Sequence, residues 1–272
     1  MAISEKIKLL GAGLYKDIPD ELTLTSIPTA SELDYVGAED FDQTMLDKIF
    51  PQVIEEKIDF KNLLEMDYYW ICRCLRILNY GPYITVNRIF CGDCNTASTG
   101  EYRVNLNTVE CATLPEGFVN SLTVKKDEFM DFDGSVTFKL PTIQKMLNAF
   151  KDKAFQTSDG KVQRELARMC YMISEIGGNR GYTPVEIKMF IQNRLSPADY
   201  IILRDTMTEL ANYGLKAGGK TVCPNCGSPN AAFVAFVDDR LFRPTLGDLR
   251  EWKNSRIAGS DENISGSKTT DV

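Results

Sequence analysis

The sequence predicts an α+β fold: a zinc-ribbon-like pair of Cys-x-x-Cys hairpins clamping a helical insertion. Three observations carry that expectation. Two cysteine pairs of identical spacing, Cys91-Gly-Asp-Cys94 and Cys223-Pro-Asn-Cys226, sit 132 positions apart. Each is flanked by β-branched and aromatic residues of strand character. The chain between them carries a series of helix signatures.

Residues 1–60 read as an N-terminal arm. Acidic residues mix with short apolar clusters such as Ile7, Leu9 and Leu10, and Pro19, Pro28 and Pro51 act as breakers. That apolar content suits a segment that orders against a partner or against its own body, with a poorly ordered terminus as the alternative. A zinc-stabilised body follows over residues 61–257. It opens with Asn62–Leu78, where Leu64, Tyr68, Ile71, Leu75 and Leu78 recur at steps of four and three, the apolar face of an amphipathic helix. Gly81-Pro82 ends that helix. Tyr83–Phe90 then reads as a strand leading into the first cysteine pair, and Tyr102–Leu106 as its return, which places the pair at a hairpin tip. Two further strands between Leu122 and Leu140, with a turn signal at Asp133-Gly134, form a second hairpin.

The helical insertion spans about 141–214. Its helices are expected near Ile143–Lys151 and Val162–Ile176, then after Thr183-Pro-Val-Glu186 and after Ser196-Pro-Ala-Asp199. The last two starts combine a hydroxyl cap, proline at the first helical position and an acid near the positive end of the helix dipole. Gly214 closes the last helix. Lys220–Val222 returns to strand, Gly227 directly follows the second cysteine pair, and Ala231–Val237 is again strand-like, repeating the layout of the first pair. A short helix over Leu246–Arg256 precedes a polar, Gly- and Ser-rich tail, residues 258–272, which is expected to be disordered.

Composition narrows the function. The chain has 272 residues, 43% of them hydrophobic, enough to build a core. A net charge of -7 argues against nonspecific binding to nucleic acid, whose affinity comes from Lys and Arg displacing counterions, and points to protein partners. The N-terminus lacks the apolar core of a signal peptide, and no stretch is long and apolar enough to span a membrane. In the reducing compartment this implies, eight cysteines are explained by metal binding or burial, not by disulfides.

With no histidine in the chain, Cys91, Cys94, Cys223 and Cys226 are the expected ligands of one structural Zn2+. Four sulfurs close the tetrahedron, whereas a catalytic zinc keeps a position open. The absence of histidine removes Ser-His-Asp and Cys-His systems, and the Glu-bearing deaminase signature is missing. Two alternatives remain: a nucleic-acid-binding zinc ribbon, for which Lys125, Lys126, Arg240, Arg243 and Arg250 supply local cations, and a dithiol oxidoreductase. Neither pair precedes a helical pattern, which weighs against the second. Cys72, Cys74 and Cys170 read as buried apolar residues; Cys111, near the first pair, is a weaker alternative ligand, since four better-placed thiols exist. Gly177-Gly-Asn-Arg-Gly181 reads as a helix end and turn, not a phosphate loop, and Glu39-Asp-Phe-Asp42 as a solvated acidic segment.

Taken in order, several features resemble the base plate protein family of T-even-like tailed phages. They are the helix with Leu64-Glu-Met-Asp67 and Arg73-Cys-Leu-Arg76, the Cys91-Gly-Asp-Cys94 hairpin, the helical middle, Val222-Cys-Pro-Asn-Cys-Gly227 and Leu241-Phe-Arg-Pro244. The resemblance covers about residues 60–244, and the cysteine pairs are its most specific part. It implies a non-enzymatic role in the tail baseplate hub or its assembly, other phage tail and baseplate proteins as partners, and a location in the host cytoplasm during assembly or in the virion.

Overall fold

In the computed structural model, which describes residues 3–35, 38–216, 221–229, 239–250 and 252–254, the N-terminal sixty residues build much of the first of two hydrophobic cores. Strands β1 (Ser4–Lys8) and β2 (Glu21–Thr25) pair antiparallel with Ile7 opposite Leu22. Side-chain alternation then sends Ile7, Leu22 and Leu24 to one buried face. Helix α1 (Thr29–Tyr35) follows, and then a continuous helical run made of α2 (Phe41–Thr44), a π-helical turn (Met45–Ile49) and α3 (Phe50–Val53). Pro51 has no N–H for the Asp47 carbonyl and its ring crowds that carbonyl, so the widened turn relieves the clash.

The described residues 7–54 share a core with helix α4 (Glu65–Tyr80), whose Tyr68, Ile71, Cys72 and Leu75 are fully buried. The expected break between arm and body at residue 60 is therefore not a boundary in packing. The pattern that would reveal it, Met45, Leu46, Ile49, Phe50 and Val53 at helical spacing, is obscured in the sequence by Pro51 and the acids around it. The Glu39–Asp42 segment is a helix start and not a solvated run. The Asp40 carboxylate accepts from Gln43 N–H as the cap and pairs with Lys151, while the Tyr68 hydroxyl donates to Asp42 at 2.6 Å.

Burial pushes the Asp42 carboxyl up to about 6, against the opposing effect of the Tyr68 hydrogen bond, with Asp40 and Glu65 adding repulsion. Ionising this group in the fold therefore lowers stability as pH rises from its ordinary value near 3.8 towards about 6. Asp42→Asn keeps an acceptor for Tyr68 and removes the charge. In urea unfolding it should gain on the order of 2 kcal/mol over wild type at neutral pH and nothing at a pH low enough to protonate Asp42 in both the folded and the unfolded chain. An equal gain at both pH values would refute this account.

After α4 come strands β3 (Tyr83–Cys91) and β4 (Thr96–Asn105), then the short β5 (Cys111–Ala112). The second core is covered by an antiparallel sheet of four strands in chain order, β6 (Leu122–Val124), β7 (Val136–Phe138), β8 (Ile173–Ile176) and β9 (Asn179–Arg180). Its helices are α5 (Ile143–Lys151), α6 (Arg164–Met172), α7 (Pro184–Arg194) and α8 (Pro197–Ala211). The expected starts at Thr183 and Ser196 are both N-caps, and Thr183 with Glu186 forms a reciprocal capping box.

The helix expected over residues 162–176 stops at Met172, and Ile173–Ile176 joins the sheet instead. Gly177 and Gly178 both have positive φ, 55° and 79°, and form a two-residue hairpin turn with Ile176 opposite Asn179. The helical insertion thus packs with the second hairpin as one unit, so the second core begins before residue 141. Two features bind the cores to each other. Helix α5 places Ile143 and Leu147 in the first core and Met146 and Ala149 in the second. Strand β5 pairs with β10 (Gly214–Leu215), and Gly214, at φ 96°, lies so close to Met66 that a Cβ would meet its side chain at 2.7 Å. Among the described residues no helix is long and apolar enough to cross a membrane.

Candidate metal centre

Strands β3 and β4 pair from Tyr83 opposite Asn105 out to Cys91 opposite Thr96, with a bulge between Val86 and Arg88. The return strand begins at Thr96, earlier than the expected Tyr102, so the hairpin is long and its tip is only Gly92-Asp-Cys-Asn95. Asn95 has φ 53°, the one positive φ among the described residues other than glycine. Gly227, which likewise follows the second cysteine of its pair, has φ 76°. Both tips therefore turn through the left-handed region at the same position, where glycine is unstrained and asparagine is tolerated. The glycine is legible as a turn residue in the sequence; the asparagine does not announce itself as its counterpart. Asn95→Gly should leave metal affinity intact, whereas Asn95→Val should weaken it by about tenfold or more, as read by chelator competition. Equal affinities would show that the turn is not under this constraint.

The two tips bring all four expected ligands together. The Sγ atoms of Cys91, Cys94, Cys223 and Cys226 all lie within 4.8 Å of one another. Cys91 Sγ is 3.6 Å from Cys226 Sγ, and Cys94 Sγ is 3.8 Å from Cys223 Sγ. Those separations are far longer than a disulfide, and all four cysteines are free thiols. A tetrahedron of thiolates about 2.3 Å from a central ion has edges of about 3.8 Å. The group can hold a metal ion.

Local hydrogen bonding favours the ligand form. The N–H groups of Cys94 and Asp93 point at Cys91 and bring its thiol down to about 7. The N–H groups of Cys226 and Asn225 do the same, in direction, for Cys223. At Cys226 the Ser228 N–H acts downward, but the proximity of Cys94, Cys91 and Cys223 outweighs it and raises that thiol to about 12. Four thiolates so close together repel strongly, and a bound cation removes that repulsion. The remaining thiols behave oppositely: burial pushes Cys74 and Cys170 up to about 12, as suits inert core residues. Cys72, Cys74 and Cys170 are all buried. Cys111 lies in β5 opposite Leu215, outside the four-sulfur group.

Around the sulfurs, Ile89, Cys91 and Cys223 form a small buried cluster flanked by Val86 and Tyr102 and separate from the two main cores. Asn225 Nδ2 donates to Thr96 Oγ1 at 2.8 Å, and Gly227 N–H donates to the Cys223 carbonyl at 2.9 Å. The C-terminal segment is also held beyond the tip. Leu241 and Phe242 enter the first core, where the Phe242 ring lies 5.7 Å from Tyr35 and 6.0 Å from Phe41. Asp248 accepts from Thr85 Oγ1 at 2.9 Å and caps its own turn through Thr245 N–H. Residues 246–250 and 252–254 are helical, in line with the expected short helix. Of the strands expected around the second tip, Thr221 and Val222 are described, with a single bridge at Thr221; the strand expected over residues 231–237 and the tail over 258–272 lie outside the described residues.

No family model, curated protein or solved structure matches this chain.

Proposed function

We propose that this chain is a zinc-stabilised structural or assembly protein of a contractile-tail phage baseplate, acting in the hub region through protein–protein contacts. The observation that carries the non-enzymatic reading is the four-sulfur centre. Its ligand set fills a tetrahedral ion's coordination sphere with protein thiolates and leaves no position for water or substrate. Zinc suits it, since it binds four thiolates at the distance the sulfur separations require and has no redox chemistry of its own. The ion would tie the 221–229 segment to the tip of a hairpin that projects from the first core, an architectural task.

The baseplate assignment rests on the ordered pattern of the two cysteine pairs, the Asp67/Arg73 helix and the Leu241-Phe-Arg-Pro244 segment. The acidic balance of the chain favours protein partners over nucleic acid. Two measurements test the proposal. Metal analysis of the purified chain should give one zinc per chain. Mass spectrometry of tails and hub precursors from infected cells should find the chain, and its loss should block baseplate completion. Tails that assemble normally without it, and contain none of it when it is present, would overturn the assignment.

A further inference from the structure

The charge of this chain is unevenly placed. Residues 1–60 hold thirteen Asp and Glu against five Lys, a net charge of -8, so the other 212 residues together carry only +1. In this acidic part lies a surface groove of about 460 Å3, between the end of the π-helical turn and the segment that leads to α4. Its apolar lining is Leu46, Pro51, Ile54, Ile58 and Phe60. Leu46, Ile54 and Phe60 form a buried floor continuous with the first core, Ile58 is half-buried, and Pro51 is exposed.

The groove's rim is charged. Asp47, Glu55 and Asp59 are exposed along it, and Glu56 is turned inward to accept from Thr23 N–H and Oγ1. Two cations share the rim: Lys61, which is 3.1 Å from Asp47, and Lys57. The carboxylates outnumber them, and the surrounding module adds Asp34, Glu39 and Asp40 in sequence.

We infer that this groove is a docking site for a cationic segment of a partner protein, one with an apolar anchor residue flanked by Lys or Arg. The apolar floor supplies a pocket for the anchor. The rim carboxylates select positive flanks and speed their encounter. The same field repels nucleic acid and anionic membranes, which leaves a basic protein segment as the occupant that the charge fits. This inference rests on the reading of the chain as a protein that works by contacts, and it names where one such contact is made.

The test uses the full chain and a short fluorescein-labelled peptide of lysine and leucine, with a glutamate-for-lysine twin as the negative probe. Anisotropy should show binding of the lysine peptide alone, weakening as salt is raised. Amide shifts in the labelled protein should concentrate in residues 46–61. Reversing two rim charges, Asp47→Lys with Glu55→Lys, should weaken binding about tenfold or more. Reversing two exposed acids of the unit built on the second core, Asp159→Lys with Glu209→Lys, should change it by less than about twofold. Ile58→Ser should weaken binding while leaving its salt dependence unchanged, since it removes apolar contact and no charge.

Equal losses from the two reversals would mean that the peptide reads net charge and not the groove, and would overturn the inference. So would shifts centred elsewhere, or light scattering that shows the groove filled by a second copy of the chain. Those outcomes leave the baseplate reading standing, because that reading is tested on tails and on zinc content. Absence of the chain from tails, with the groove behaving as described, would instead sink the baseplate reading and leave the docking site intact.

Discussion

Stripping the metal with a strong chelator under reducing conditions should release one ion per chain and expose the hairpin tip to solvent without unfolding the two main cores. Hydrogen exchange should rise sharply over residues 86–102 and 221–229 and change little in α4 and α5. The physical basis is the separateness of the sulfur cluster: Ile89, Cys91 and Cys223 are a small satellite, and the large cores do not include them. Structural zinc in zinc-finger peptides is bound with apparent free energies of about 10–16 kcal/mol, so the effect expected within the tip is large. The C-terminal segment should remain tethered, because Leu241, Phe242 and Asp248 hold it independently. Cys223→Ser should reproduce the chelated exchange pattern. Unchanged exchange at the tip after complete metal loss would show that the sulfur cluster stabilises nothing.

Arg168→Ala should cost about 3–5 kcal/mol of unfolding free energy, the second large effect. Arg168 Nη1 and Nη2 each donate to a Glu65 carboxylate oxygen at 2.7 Å, a two-pronged pair between α6 and the first turn of α4. Glu65 is buried, and the pair borders a crevice of about 140 Å3 lined by Leu64, Met66, Leu140 and Leu210 of the second core and by Tyr69 and Leu215, which pack against the first. Removing the guanidinium leaves a buried carboxylate uncompensated. Replacing both partners, Glu65→Leu with Arg168→Met, should recover most of the loss, because neither desolvated charge remains. Urea unfolding of Glu65→Leu, Arg168→Met and their double forms a complete cycle. A double variant as weak as Arg168→Ala would place the cost in packing and not in the stranded charge.

What can be read from the sequence follows a simple physical division. Signals confined to one turn are legible. Thr183 and Ser196 cap helices because an oxygen at the cap position reaches N–H groups two or three residues on, whatever the rest of the chain does. Helix α5 has the expected bounds because its caps and its apolar spacing agree. The cysteine pairs are legible because thiolates at that spacing have few other uses. Signals that depend on partners distant in sequence are not. Ile173–Ile176 continues a helical pattern locally, and only pairing with β7 makes it a strand. The buried role of residues 7–54 depends on the face of α4, which the sequence does not place opposite them. Asn95 is inconspicuous because its left-handed φ follows from a tight tip closed by the pairing of Cys91 with Thr96.

The order in which the sulfurs leave the ribosome gives the metal centre a further meaning. Cys91 and Cys226 are 135 positions apart, and Cys94 and Cys223 are 129 apart. Translation therefore delivers the first half of the site long before the second, with the second core's residues from Val124 to Leu210 made in between. A chain cut short anywhere before residue 226 presents at most three of these sulfurs and cannot complete the four-sulfur site. Tight retention of zinc is thus a property of chains synthesised past that point, and it marks each copy as having been made through its second cysteine tip before it meets a partner.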